Sequence, residues 1–175
     1  LESYTPLNQL DVLAFTLPFE LVFTNVLSVL ELGGIPLFAK ERNESHPIIL
    51  GGGPVCANPE PLAPFFDAFL IGEGEEAFSE ALKIIEASKK SGDSRLETLK
   101  KLAGVSGFYV PSFYEPEYED NGFYIQNIKK NSHAPYPVKK RVEPDLDNIL
   151  IPSNFPIPWT RPVHDKGMVE LFRGC

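Results

Sequence analysis

Short apolar runs alternate with longer amphipathic segments over the first hundred residues of the chain. The apolar runs cover residues 11–17, 47–50 and 67–71, and each is bounded by polar residues, Pro or Gly. Short continuous apolar runs are typical of strands that are buried on both faces of a parallel sheet. Because helix signals follow each run, the pattern predicts successive βαβ units and an α/β fold.

The helix signals are of two kinds. Apolar residues recur at helical spacing in residues 20–32, and glycines that cap a helix at little cost come next. Ser94 and Glu97 have the spacing of a capping box. The predicted helices are residues 20–32, 58–65, 72–89 and 94–104, and a short strand is predicted at 35–38.

The pattern changes beyond residue 104. Residues 107–110 and 123–128 are aromatic and β-branched, and Asn121-Gly122 between them is a turn signal, so we predict a β-hairpin with a long acidic connection. Residues 131–162 are rich in Pro and mixed charge, which is typical of an extended linker. Residues 168–172 are apolar again and predict the first strand of a further domain.

Three parts follow from this pattern: an α/β domain at 1–104, a β-hairpin with a Pro-rich linker at 105–162, and the start of another domain at 163–175. The chain begins with Leu1 and ends on Cys175 directly after an apolar segment. We therefore expect it to be a piece of a longer protein.

Composition excludes several classes of protein. The 24 acidic and 16 basic residues give a net charge of −8, which argues against a nucleic-acid surface. Two cysteines are too few for a disulfide scaffold, so a reducing cytosol is the expected compartment. No apolar run has the length of a membrane span.

Turn residues that follow the predicted strands are the candidate ligand contacts. In an open parallel sheet, ligands bind outside the carboxyl ends of the strands. The residues predicted to meet there are Thr16, Leu17, Gly51, Gly52, Gly53, Gly72 and Gly74. Either they contact a ligand, or the glycines serve only tight turns; the sequence leaves both interpretations open.

The neighbouring residue types restrict the class of ligand. A phosphate site needs free N–H groups and positive potential at a helix start, but Glu73, Glu75 and Glu76 occupy the start of the predicted helix after the third strand. Neither GxxxxGKS/T nor GxGxxG occurs in the chain. Nucleotide binding in the usual mode is not expected, and a bulky ligand held by main-chain and apolar contacts fits better.

Several motifs, in this order and spacing, resemble one family. Residues 48–54 (IILGGGP), 58–61 (NPEP) and 66–76 (FDAFLIGEGEE) are similar to the cobalamin-binding-type domain that precedes the barrel in a large class of radical SAM enzymes. Residues 169–175 (VELFRGC) resemble the strand that enters the CxxxCxxC cluster loop of those enzymes. The resemblance, in particular to an uncharacterised radical SAM group with a fused domain of this type, implies a partial flavodoxin-like, Rossmann-like parallel sheet.

The resemblance also implies a chemistry. Cys175 would be the first of three thiolates that bind a [4Fe–4S] cluster, whose open iron binds S-adenosylmethionine. The activity would be reductive cleavage of S-adenosylmethionine to start radical chemistry on an unknown substrate. The other two cysteines and the rest of the barrel would follow Cys175, so these 175 residues alone would be inactive.

Cobalamin is a further candidate cofactor. The Asp-x-His-x-x-Gly loop of cobalamin domains would fall before Leu1, and Thr16-Leu17-Pro18 is not a clean match to their Ser-x-Leu segment. Thr16 and Gly51–Gly53 would contact its nucleotide tail. The alternatives are a ligand-free docking or cap module over the barrel, and a stand-alone flavodoxin-like ligand-binding domain without catalysis.

Other polar residues are expected to be structural. His46, His133 and His164 have no metal-ligand spacing with each other or with Cys56. Cys56 is expected to be a small buried residue. The basic run Lys139-Lys140-Arg141 is expected to be solvated.

Overall fold

A computed structural model of the chain describes residues 3–120, 122–123, 125–145, 147, 149, 160, 170–171 and 173. The chain divides into two compact units, Leu1–Val142 and Glu143–Cys175. In the second unit, Arg173 pairs with Glu170 at 2.7 Å. Residues 168, 169 and 172 of the strand predicted there lie outside the described residues, as does Cys175, so both assignments stay predictions.

A four-stranded sheet forms the centre of the first unit. Its strands are β1 (Val12–Thr16), β2 (Ile48–Gly52), β3 (Ala68–Leu70) and β4 (Phe108–Tyr109), in that order. The first three are parallel, and β4 is antiparallel to β3. The predicted α/β class is confirmed, because the three apolar runs form the three parallel strands of a partial flavodoxin-like arrangement.

Three helices pack on this sheet: α1 (Phe23–Leu32), α2 (Glu75–Ser91) and α3 (Arg95–Ala103). The N-cap bond of the capping box predicted before α3 is present, since Ser94 Oγ accepts a hydrogen bond from the Glu97 N–H at 3.2 Å, whereas the Glu97 carboxylate accepts from Lys100 Nζ at 2.6 Å. No helix within the described part of the chain has both the length and the apolar character to cross a membrane.

The segment predicted as a short α-helix at 58–65 is instead a 3-10 helix, Glu60–Phe65. Pro64 explains the difference, because a proline beyond the first turn cannot donate the main-chain hydrogen bond of an α-helix and its ring clashes with the carbonyl one turn earlier. This segment packs on the same face of the sheet as α1 and contributes the buried Leu62.

Two hydrophobic cores lie on opposite faces of the sheet. Ile48 and Leu50 of β2 point into the core that contains α2 and α3. Ile49 between them points into the core that contains α1. This alternation is the period of a β-strand, and it gives the unit three layers with the sheet in the middle.

A separate hairpin pairs β5 (Tyr114–Tyr118) with β6 (Ile125–Lys130). The prediction that residues 107–110 form its first strand is wrong, because that segment contains β4 of the main sheet. Phe108 and Val110 are each 1% exposed, so pairing with β3 buries apolar surface that an exposed hairpin would leave in water.

The strand predicted at 35–38 is also wrong. Main-chain carbonyls in this segment accept hydrogen bonds from a side chain rather than from a neighbouring strand: Arg42 donates to Pro36 O at 2.9 Å and to Leu37 O at 2.7 Å. A 3-10 turn, Ala39–Glu41, follows directly. The apolar character of the segment reflects burial of Ile35, which is 3% exposed.

Candidate functional site

The predicted ligand residues belong to neighbouring strand ends at one edge of the sheet. Thr16 of β1 pairs with Gly52 of β2, and Gly52 pairs in turn with Leu70 of β3. The Leu17 N–H donates to Gly52 O at 2.7 Å. We call this region the carboxyl edge, and its members are Thr16, Leu17, Gly51, Gly52, Gly53, Gly72 and Gly74.

Two glycines of the carboxyl edge are required by packing against the chain itself. A Cβ at Gly51 would lie 2.6 Å from Phe69 Cδ1. A Cβ at Gly53 would lie 2.7 Å from Leu17 O, and Gly53 has a φ of +114°, which side-chain-bearing residues rarely adopt. The close approach that these glycines allow is therefore between β2, its turn and the adjacent chain.

Gly72 is a third glycine that packing against the chain requires. Its φ is +112°, and a Cβ there would overlap Arg141 O. Gly52, by contrast, has nothing within 4 Å of an added Cβ, and the nearest atom at Gly74 is Leu70 Cδ2 at 3.5 Å. Room for contact with a ligand therefore remains at Gly52 and Gly74.

A corrinoid at this edge stays a prediction. Leu17 is 1% exposed, so its side chain belongs to the core, whereas Thr16 is exposed. Together with Gly52 and Gly74, Thr16 forms the part of the predicted contact set that a bulky ligand could reach. The chain itself fills the space beside Gly51, Gly53 and Gly72, so these three positions of the predicted set leave no room for a corrinoid.

The described residues do not contain a metal centre. Among them, no group of three or more His, Cys, Asp or Glu side chains could hold a metal ion. Cys56 is 1% exposed, as predicted for a small core residue, and burial raises the pKa of its thiol to about 11. A thiol with this pKa is protonated at neutral pH, which disfavours metal binding and nucleophilic attack.

A buried charge cluster lies at the opposite end of the strands. The Asp67 carboxylate, just before β3, accepts hydrogen bonds from Arg42 Nη1 at 3.2 Å and from Arg95 Nη2 at 2.6 Å. It also accepts one from the Ile49 N–H at 2.7 Å. We call Arg42, Asp67 and Arg95 the amino-edge triad.

Both arginines of the triad also donate hydrogen bonds to main-chain carbonyls. Arg95 donates to Asn43 O and His46 O at 3.0 Å and to Pro47 O at 2.7 Å. Burial lowers the pKa of Arg42, and the neighbouring Asp67 carboxylate opposes that shift. Because the triad ties together loops from distant parts of the chain, we interpret it as structural rather than catalytic.

Sequence reasoning missed this triad. Arg42 and Arg95 lie 25 and 28 residues from Asp67 along the chain, so no local spacing reveals them. The one available signal was a charged residue immediately before a fully apolar strand, since a buried carboxylate needs cationic or N–H partners.

A cleft of about 1170 Å³ lies between the hairpin and the body of the first unit. Tyr109 and Tyr114 line it with ring centroids 4.9 Å apart. The Tyr109 hydroxyl donates to Glu60 Oε1 at 2.5 Å, and burial together with this carboxylate raises the pKa of Tyr109. The walls of the cleft also include Phe38, Tyr118 and Ile125, so the cleft is largely apolar.

These features define a class of domain: a three-layer α/β unit with glycine turns at the carboxyl ends of its parallel strands. A family model described as "Radical SAM proteins, N-terminal" matches residues 1–111. The match covers more than half of the chain, and the chain therefore belongs to this family. Membership implies a radical SAM enzyme as the parent protein, with S-adenosylmethionine and an iron–sulfur cluster.

Comparison with curated proteins and with solved structures found no match. The family match contains β1 to β4, the carboxyl edge up to Gly74 and the whole amino-edge triad, and it ends at Pro111 before the hairpin.

Proposed function

We propose that this chain provides the N-terminal domain of a radical SAM enzyme and carries, in Cys175, the first of three thiolates that bind its [4Fe–4S] cluster. The observation that carries the proposal is the family match over residues 1–111. The run Arg173-Gly174-Cys175, which follows an apolar segment, supports it because it resembles the entry to a CxxxCxxC loop.

When bound, the cluster supplies the electron for reductive cleavage of S-adenosylmethionine, and the resulting radical acts on a substrate whose class is open. The residues of the first unit contribute scaffold rather than chemistry in this proposal. The amino-edge triad fixes the loops before β2 and β3, and the two cores hold the sheet between its helix layers.

Two roles for the carboxyl edge are compatible with this proposal. It would bind a cobalamin, or it would belong to a ligand-free docking or cap module. The second role is favoured by one observation, that own-chain atoms fill the space beside Gly51, Gly53 and Gly72. Incubation of the protein with hydroxocobalamin, followed by gel filtration, separates the two roles, because corrin absorbance co-eluting with protein supports only the first.

The cluster assignment is tested by anaerobic reconstitution of the complete protein with iron and sulfide. We expect a Cys175→Ala variant to lose most of its cluster absorbance and bound iron, and with them S-adenosylmethionine cleavage. Cys56→Ala is the matched control, since it removes the buried thiol that has a raised pKa. That variant should retain iron at the level of the unmodified protein.

Iron content in the Cys175→Ala protein at the level of the unmodified protein would refute the assignment of Cys175. Loss of iron in both variants would point instead to a general folding defect, which circular dichroism of the two variants before reconstitution would reveal.

A further inference from the structure

The chain returns to the carboxyl edge after the hairpin, in residues 138–142, which we call the strap. Main-chain hydrogen bonds hold it there on both sides of one residue: the Arg141 N–H donates to Ile71 O at 2.8 Å, and the Glu73 N–H donates to Arg141 O at 3.1 Å. These bonds form a parallel bridge between Gly72 and Arg141. The strap is thus an extra, very short strand beside the end of β3.

Two glycines make room for the strap. A Cβ at Gly72 would overlap Arg141 O, and a Cβ at Gly107 would lie 2.8 Å from Arg141 Cβ. Both glycines have φ values that side chains disfavour, +112° and +94°. Gly92, which ends α2, has a φ of +74° with nothing within 4 Å of an added Cβ, so it serves a helix end and no neighbour.

Two glutamates in the N-terminal part of α2 bind the Arg141 side chain of the strap. Arg141 Nη2 lies 3.0 Å from Glu76 Oε2 and 2.9 Å from Glu80 Oε1, and the Arg141 side chain is only 20% exposed. Glu76 and Glu80 are one helical turn apart and share a face of α2. The expectation of a solvated basic run is therefore wrong at Arg141, although Lys139 and Lys140 are exposed.

We propose that the strap is a built-in cover for the β3 side of the carboxyl edge, and that Gly72, Gly107, Glu76 and Glu80 form its receptor. While the strap is docked, a ligand at this edge reaches the β1–β2 side around Gly52 and is excluded from Gly72. The receptor lies within the family-matched residues 1–111, and the strap lies outside them. The first unit ends at Val142, so the strap is its C-terminal segment.

Amide hydrogen exchange of the complete 175-residue chain tests the proposal, because the Glu73 amide is protected by Arg141 O. We expect Arg141→Ala, and separately Glu76→Gln with Glu80→Gln, to accelerate exchange at Glu73 roughly tenfold. Trypsin cleavage after Lys139 and Lys140 should accelerate in parallel. Lys90→Ala is the control, since it breaks an ion pair with Glu86 on the same helix and should change neither rate.

A double-mutant cycle tests the role of the glycines. Gly72→Ala should open the strap by itself, so Arg141→Ala in that background should add little further acceleration at Glu73. Gly92→Ala introduces a comparable positive-φ strain away from the strap, and its effects should simply add to those of Arg141→Ala. Unchanged Glu73 exchange in Arg141→Ala and in the double glutamine variant, or additivity of Gly72→Ala with Arg141→Ala, would overturn the proposal.

Discussion

The two ends of the parallel strands solve the same packing problem by opposite means. At the amino end, a buried carboxylate and two guanidiniums fill the space between loops with charge and hydrogen bonds. At the carboxyl end, the absence of side chains at Gly51, Gly53 and Gly72 lets neighbouring chain segments approach closely. The first end depends on three side chains being present, and the second on three being absent.

This difference indicates which end of the strands has room for a ligand. Every described polar side-chain atom that is buried has a hydrogen-bond partner, so each side chain of the amino-edge triad is already engaged within the chain. The carboxyl edge keeps unfilled space at Gly52, and its Thr16 is exposed. Open parallel sheets generally bind their ligands at this second end of the strands.

The largest expected effect comes from breaking the triad. Asp67→Ala leaves two buried guanidiniums without their carboxylate, and we expect it to lower the free energy of unfolding by about 3–5 kcal/mol. Urea denaturation followed by circular dichroism measures this loss. Asp11→Ala is the control, because it breaks an ion pair with Lys89 that is mostly exposed, and its unfolding midpoint should hardly move. Similar midpoints for the two variants would contradict a structural role of the triad.

A smaller loss is expected at the carboxyl edge. Gly53→Ala places a methyl group 2.7 Å from Leu17 O in a backbone conformation with a φ of +114°, and it should cost about 2–3 kcal/mol. Gly92→Ala shares only the positive φ and should cost about 1 kcal/mol. If urea denaturation shows the same loss of unfolding free energy for both substitutions, close packing at Gly53 adds nothing beyond backbone strain.

A pH dependence of stability is expected from Cys56, which lies in the 3-10 turn just after Gly53. Its thiol pKa is raised from 9.0 to about 11 by burial, so the folded chain binds the thiol proton more tightly than the unfolded chain does. This contribution to stability is fully present below pH 9 and is lost as pH rises to about 11. Unfolding measured across this range should show the extra decline in the unmodified chain and not in Cys56→Ala.

The smallest effect on stability is expected at Gly52. An added methyl group there meets nothing within 4 Å, so Gly52→Ala should change the free energy of unfolding by no more than about 0.5 kcal/mol. The same variant sharpens the ligand question, because a corrinoid at this edge would contact the substituted position. Reduced hydroxocobalamin uptake with unchanged stability would support such contact, and unchanged uptake would contradict it.

The parallel part of the fold could be predicted because its signals are local. Each of the three apolar runs contains a strand, and the Ser94–Glu97 spacing marks the true start of α3. The hairpin could not be assigned correctly, since β5 contains Pro116 and acidic residues and lacks the apolar alternation of a typical strand. Its basic partner compensates instead: Glu117 of β5 pairs with Lys129 of β6.

The positions of the carboxyl-edge residues were easier to predict than the packing role of each one. The order of the strands made the meeting of Thr16, Gly52 and Gly72 at one edge predictable. The requirement for glycine at position 72 could not be predicted. The neighbour that requires it is Arg141, which follows two helices and a hairpin along the chain. Long-range contacts of this kind leave no periodic trace in either segment, and they become visible only in the structure, as the main-chain hydrogen bonds of Arg141 with Ile71 and Glu73.

The bridge between Gly72 and Arg141 has a kinetic consequence. It encloses α2, α3, β4 and the hairpin in one long loop, and the chain entropy lost in closing a loop grows with its length. Contacts of such large sequence separation form slowly, so the bridge should close after the transition state for folding. Substitutions at Arg141 would then shorten the lifetime of the native state while leaving the refolding rate nearly unchanged, which stopped-flow refolding and unfolding can measure.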